Sequence, residues 1–259
     1  MKTDAIIDHI TGWLRDYCTG AGMRGFVIGV SGGIDSAVAS TLAARTGLPL
    51  TVVEMPIHQS PDQVTRAREH IAFLKDHYAA VESLEVDLTG VFDTLTDVLP
   101  DGPDSALRDM SMVNTRARLR MTTLYYVAGL HSRLVVGTGN KVEDFGVGFF
   151  TKYGDGGVDL SPIADLMKSE VYALGRALGV NAAILSAAPT DGLWGDSRTD
   201  EDQIGASYPE LEWAMGFDGT RSALDPRQTE VLAIYERMHS ANRHKMVAIP
   251  VCTIPGELR

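Results

Sequence analysis

The stretch Val27-Ile28-Gly29-Val30-Ser31-Gly32-Gly33-Ile34-Asp35-Ser36 joins one apolar run to a second, helix-forming one. Between the runs stand two glycines, two serines and a carboxylate, with no lysine. A strand that enters a helix through Ser-Gly-Gly aims several backbone N–H groups at one point, because glycine permits φ > 0 and close approach. The helix N-terminus at Ile34 adds partial positive charge, and Ser31 and Ser36 add hydroxyl donors. Such a junction is a cradle for phosphate. It is not the Walker type, which requires Gly-x-x-x-x-Gly-Lys-Ser/Thr, nor the Gly-x-Gly-x-x-Gly loop. Asp35 repels phosphate unless a cation lies between them, so the pattern predicts Mg²⁺ bridging pyrophosphate oxygens. The competing reading is a plain tight turn with an acid in the first helical turn, where acids are favoured anyway. A complete Ser-Gly-Gly-x-Asp-Ser after a buried strand favours phosphate.

The elements that hold this loop alternate. Gly25–Val30 reads as a buried strand and Ile34–Ala44 as a helix stopped by Gly47-Leu48-Pro49. Leu50–Met55 is a second strand, followed by a helix over Pro61–Lys75 with proline in its first turn. Val81–Leu88 holds a short strand, Leu88–Leu99 a helix, and residues 101–105 punctuate the chain. Met112–Leu130 reads as a longer helix, and Arg133–Thr138 as a strand. This order predicts an α/β fold, a doubly wound parallel sheet with flanking helices, binding its ligand at the carboxyl ends of the strands. Beyond about residue 145 glycine and aspartate dominate, with helices expected at Asp165–Leu178 and Arg227–Ser240 between long loops. One domain over 1–259 is expected, with mobile loops near 54–60 and 183–203 and a tail near 241–259.

Composition narrows the class. With 44% hydrophobic residues in 259 the chain is globular. No apolar run reaches membrane-spanning length, and the amphipathic N-terminus lacks the features of a signal peptide, so a cytoplasmic protein with no membrane partner is expected. A net charge of −11 argues against nucleic acid as a partner. Cys18 and Cys252 alone make a disulfide framework or a cysteine-rich metal site improbable on composition.

The Ser31–Ser36 loop resembles the pyrophosphate loop of the ATP pyrophosphatase family, an adenine nucleotide alpha hydrolase-like fold that cleaves ATP to AMP and pyrophosphate. Within that family, residues 114–121 (NTRARLRM), 135–171 (VVGTGNKVEDFGVGFFTKYGDGGVDLSPIADLMKSEV) and 188–212 resemble ammonia-dependent NAD synthetase. The resemblance implies ATP contacts at Gly29, Val30, Ser31, Gly32, Gly33, Ile34, Asp35, Ser36, Gln59, Thr138, Lys168 and Thr190. It implies magnesium at Asp35 and Glu143, and deamido-NAD contacts at Arg118, Lys152, Asp159, His244 and Lys245. It also implies a homodimer. Three departures stand out: Gly139-Asn140-Lys141 where many members continue Asp-His after Gly-Thr, one extra residue between Glu143 and Lys152, and Glu54 where some carry an arginine near ATP.

The implied reaction converts deamido-NAD to NAD. A nicotinate carboxylate attacks the α-phosphorus of ATP, pyrophosphate leaves into the nest, and ammonia displaces AMP from the acyl-adenylate. Lys168 would stabilise charge on the phosphates, and Asp155 or Asp159 would take the proton from ammonium. Water would destroy the intermediate, so a lid is expected, with Trp194 as a lid contact or a loop anchor. Glutamine-dependent members carry an added amidase domain; nothing before residue 20 could hold one, so ammonia, direct or from a separate partner, is the expected donor. The alternatives are another ligase of the ATP pyrophosphatase family, or a regulator that binds adenine nucleotide without turnover.

Overall fold

The computed structural model describes residues 1–102, 104–190 and 199–259. Four strands, β1 (Phe26–Gly29), β2 (Leu50–Glu54), β3 (Val81–Glu85) and β4 (Leu134–Val135), form one sheet in the order β3-β2-β1-β4. All three pairings are parallel, with Gly29 opposite Val53 and Val27 opposite Val135. The expected doubly wound α/β sheet is therefore what the chain forms. The order reverses beside β1, which puts the crevice at the carboxyl end of β1, above Ser31–Ser36.

The helices follow the chain. On one side of the sheet lie α1 (Thr3–Gly20), α2 (Ile34–Arg45) and α3 (Pro61–His77), and α4 (Thr89–Val98) and α5 (Ser105–His131) take the other. Later elements are α6 (Lys168–Ala177), α7 (Ala182–Ser186), α8 (Asp200–Ile204), α9 (Tyr208–Met215) and α10 (Pro226–Met246). The first core packs α1, α2, α3, α6 and α7 against Phe26, Ile28, Leu50 and Val52; the second packs α4 and α5 against Val27, Val53 and Val135. Alternate residues of β1, β2 and β4 thus enter opposite cores, as the strand period dictates. A third core, away from the sheet, joins Val142 and Val147 to α9 and α10 through Leu211, Ala214, Val231 and Leu232.

Several boundaries differ from expectation. The fifth helix begins at Ser105, because the Asp104 carboxylate accepts from the N–H groups of Ala106 and Leu107 and caps it. The Arg133–Thr138 strand is confined to Leu134–Val135, with Val136 bridging to Leu160 instead. The helix expected from Asp165 starts at Lys168, where the Met167 N–H donates to the Glu170 carboxylate at 2.9 Å. Residues 142–147 form a π-helical turn and 208–215 a helix, both in a region read as loop. Helix α10 runs to Met246, so the tail begins at Val247 rather than near 241. Of the stretch 183–203, parts are helical in α7 and α8. Trp194 lies outside the described residues.

Helix α2 is buried on nearly every face, which its run of alanine, serine and threonine allows. Its Ser40 hydroxyl meets His70 Nε2 of α3 at 2.9 Å, and the imidazole is fully buried. Burial pushes the His70 pKa down to about 4. The folded state therefore holds the ring neutral while the unfolded chain protonates near 6.5, so stability falls as pH drops from about 6.5 to 4. The total loss from this ring is about 3 kcal/mol. Urea unfolding at pH 7, 5 and 4 should show His70→Gln losing that much less than wild type between the extremes. Parallel losses in the two proteins would remove the ring as the cause.

Candidate active site

Three elements bring the first side chains together. Strand β1 ends at Gly29, and the chain turns through Ser31, Gly32 and Gly33 into α2. Gly32 has φ of +81°, and a Cβ there would stand 2.6 Å from the Gln63 carbonyl oxygen of α3. No other residue fits that bend. The Ser31 N–H donates to Ser36 Oγ at 3.2 Å, the two hydroxyls lie 3.1 Å apart, and Ser36 Oγ donates to the Gly33 carbonyl at 3.0 Å. The loop is thus held closed by its own serines.

The centre of the site is a buried ammonium. Lys168, the first residue of α6 and only 2% exposed, donates to Asp35 Oδ2 at 2.6 Å and to Glu143 Oε1 at 2.8 Å. Burial works against its charge, but the two carboxylates override it and hold the pKa well above the ordinary lysine value. Asn140, fully buried, donates through Nδ2 to Asp35 Oδ1 at 3.1 Å. Its Oδ1 accepts from the N–H groups of Val142 and Glu143 at 3.1 Å each, capping the π-helical turn that carries Glu143. Tyr208, from the start of α9, donates to Glu143 Oε1 at 2.5 Å and lies 3.2 Å from Asp200 Oδ2. The ammonium of Lys168 sits 4.6 Å from the centre of the Tyr208 ring.

A cavity of about 270 Å³ opens over this centre. Gly29–Ser36, Gln59, Thr138, Glu143, Asp155, Lys168 and Thr190 all line it, so every residue expected at ATP or metal meets in one place. Gln59 accepts from Arg120 at 2.8 Å. Asp144 also lines the cavity, close against Gly139, where a Cβ would stand 2.0 Å from its carboxylate. Burial, then Glu143, Asp155 and Asp35, raise the Asp144 pKa to about 8. Burial raises that of Asp155 to about 6, although its Oδ1 accepts from the Thr151 N–H at 3.0 Å.

The residues expected at the dinucleotide are arranged differently. Arg118 is exposed and its Nε donates to the Lys152 carbonyl at 3.3 Å; Lys152 Nζ donates to the His244 carbonyl at 3.0 Å. These three form a chain of contacts outside the cavity lining. Lys245 lines a smaller adjoining cavity of about 150 Å³, and its ammonium donates to the carbonyls of Phe150, at 2.7 Å, and Gly148. Asp159 accepts from the Val135 N–H at 2.7 Å and from the Tyr125 hydroxyl at 3.0 Å, tying its loop to β4. It does not line the main cavity.

Residues 6–247 match the family described as NAD synthase. The chain belongs to that family. It is 35% identical to the NH(3)-dependent NAD(+) synthetase of Carboxydothermus hydrogenoformans over 94% of this chain and 93% of that one. Among solved structures, NMN synthetase from Francisella tularensis superposes with a TM-score of 0.84 at 32% identity, covering 99% of both chains. The NH3-dependent NAD synthetase from Campylobacter jejuni, in complex with the nitrate ion, gives 0.77 at 26% identity over 98% of this chain and 100% of that one. The expected NAD synthase resemblance is thus confirmed along nearly the whole chain.

Asn140, Asp144 and Tyr208 had not been singled out from the sequence as site residues. Asn140 stands out in the sequence only as a departure from the usual family pattern, and Tyr208 lies in a stretch read as loop, where the structure has Ser207 and Glu210 capping α9.

The triad has a measurable signature. Lys168→Met leaves two buried carboxylates facing each other, a loss of about 3–5 kcal/mol at neutral pH. The loss should shrink at pH 5, where the carboxylates take up protons in place of the missing ammonium. Denaturant unfolding at both pH values measures it; a loss that does not depend on pH would mean the ammonium does not carry the pair.

Proposed function

We propose that the chain catalyses ATP-dependent amidation of deamido-NAD to NAD by ammonia, releasing AMP and pyrophosphate. The observation that carries this reading is the meeting of the Ser31–Ser36 nest with Lys168, Asp35 and Glu143 in one cavity of a NAD synthase fold. A buried lysine shared by two carboxylates beside a phosphate nest weighs against a regulator without turnover.

Mg²⁺ fits the donor set. Asp35, Glu143, Asp144 and Asp155 line the cavity, with Lys168 as the lining cation paired directly to two of them. Burial first, and then the neighbouring carboxylates, hold the Asp144 pKa near 8; a divalent cation would offset the carboxylate part of that shift. Among the described residues no three metal-binding side chains are close enough to hold an ion by themselves. Asp35 and Glu143 would therefore hold it together with phosphate and water. The ion would offset charge on the departing pyrophosphate.

The rest is chemistry of the chain's own groups. The nest and the α2 N-terminus take the pyrophosphate as the nicotinate carboxylate bonds to the α-phosphorus. Lys168 adds positive charge where the phosphates gather. The ammonia nitrogen then bonds to the acyl carbon, and AMP leaves with the carbon–oxygen electron pair. Asp155 is the better placed of the two expected proton acceptors, since it lines the cavity while Asp159 is committed to Val135 and Tyr125.

The acceptor end rests on Arg118, Lys152, His244 and Lys245, which a second copy of the chain would complete; Asp159, also expected there, serves by tying its loop to β4. Tyr126 and Leu130 of α5, 67% and 63% exposed, support such a homodimer. A second acceptor, the nicotinate mononucleotide, is favoured by the 0.84 superposition on a protein named NMN synthetase.

Purified protein with ATP, Mg²⁺ and ammonium should convert deamido-NAD with AMP and pyrophosphate formed in equal amounts. ADP and phosphate as first products would remove the adenylation reading. A higher kcat/KM for the mononucleotide would move the acceptor to the smaller substrate.

The pH profile follows from two protons. At fixed total ammonium the rate should rise with pH as more free ammonia forms, and kcat should fall below about pH 6, where Asp155 is protonated. Asp155→Asn should lower kcat and abolish that acid limb. An unchanged limb would move the proton acceptor elsewhere.

A further inference from the structure

Glu54, the last residue of β2, lines the nucleotide cavity. It is only 6% exposed. Its Oε2 accepts from Arg68 Nε at 3.3 Å, and Arg68 is in turn held by Glu85 at 3.0 Å. Its Oε1 is buried and accepts nothing. A buried carboxylate oxygen without a donor is costly, and in native proteins such a group points to a missing partner.

The position of Glu54 in the sheet narrows what that partner can be. The Val30 N–H donates to the Val53 carbonyl at 3.0 Å, so Glu54 follows directly on the residue bonded to the entry of the phosphate nest. Neighbouring strands lie about 4.8 Å apart. A nucleotide whose phosphates rest on Ser31–Ser36 reaches one strand over with its sugar, which is joined to the α-phosphate through a single methylene. The exocyclic amine of the base lies on the far side of the ring system. The sugar also carries two hydroxyl donors, which suit a carboxylate acceptor. In dinucleotide-binding doubly wound folds, whose glycine loop differs from this one, an acid about twenty residues beyond the loop, at the end of the second strand, takes the ribose hydroxyls; Glu54 stands at the corresponding place.

We infer that Glu54 is the ribose-hydroxyl acceptor of the ATP site and makes the enzyme select ribonucleotide over deoxyribonucleotide. This rests on the ATP reading above. Arg68 holds the other oxygen and so orients the free one.

The test compares ATP with 2′-deoxy-ATP, 3′-deoxy-ATP and inosine triphosphate, by calorimetric titration without the acceptor and by kcat/KM with it. A hydrogen bond to a charged group corresponds to about 10- to 100-fold in affinity, so wild type should discriminate against at least one deoxy analogue on that scale. Glu54→Ala and the milder Glu54→Gln should weaken ATP and leave that analogue nearly unchanged, collapsing the ratio. The inosine ratio should not move. Wild type that binds both deoxy analogues as well as ATP, or variants that keep the full ratio, overturn the assignment; so does a change confined to inosine, which would place the contact on the base. Discrimination in binding without amide formation would sink the proposed reaction and leave Glu54 standing. Amidation with an unchanged ratio would do the reverse.

Discussion

An ammonium removed from water stays charged only if carboxylates replace the lost hydration. Lys168, almost fully buried, meets that requirement with Asp35 and Glu143 and no less. The three residues come from α2, the π-helical turn and α6, so this one cluster fixes how three distant segments sit together. The arrangement is weak evidence for stability, because desolvating three charges offsets most of their attraction. Its value is specificity: any displacement of one segment leaves an unpaired charge in a dry place. Asn140 makes the same demand in neutral form, with its amide on Asp35 and its carbonyl oxygen on the turn that carries Glu143.

The packing explains why those segments converge at the carboxyl end of β1 and not elsewhere. Strand β1 lies between β2 and β4, so the crevice at its carboxyl end has α2 on one side and the 136–147 segment on the other. Helix α2 reaches the crevice because its small residues let α1, α3 and α6 close around it. The Ile34 side chain and Gly175 show how tight the fit is: a Cβ on Gly175 would stand 2.7 Å from Ile34 Cδ1. Helix α6 therefore approaches α2 closely enough for its first residue, Lys168, to reach Asp35 in the first turn of α2.

Much of this was legible in the sequence, for identifiable reasons. The phosphate nest is a local motif, so Ser31–Ser36 announced itself through residue types alone, and parallel strands alternating with helices gave the sheet. Helix ends were less legible where a side-chain cap decided them, as at Asp104 and Glu170. The π-helical turn was not legible, because its stabilising contact is Asn140, whose own partner Asp35 lies more than a hundred residues away. Tyr208 is illegible for the same reason: its place in the site lies in a hydrogen bond to Glu143, a residue far away in sequence, and its own stretch reads as loop. Roles that rest on long-range contacts between ordinary polar residues leave no spacing to read.

The π-helical turn itself has a physical rationale. An α-helix closes each turn with four residues, whereas a π-turn closes with five and shifts the residues that follow. Here Glu143 must face Lys168 while Val142 and Val147 face the third core, with α9 and α10 behind them. The wider turn lets the carboxylate and the two valines serve opposite sides within six residues. Gly148, with φ of +67°, then ends it, and a Cβ there would stand 2.4 Å from Asn242 of α10. The Asn242 amide donates to the Val147 carbonyl at 2.9 Å, and Lys245 donates to the carbonyls of Gly148 and Phe150. Helix α10 thus satisfies the carbonyls that the turn leaves open, which makes a helix outside the cavity lining part of the support for Glu143 within it.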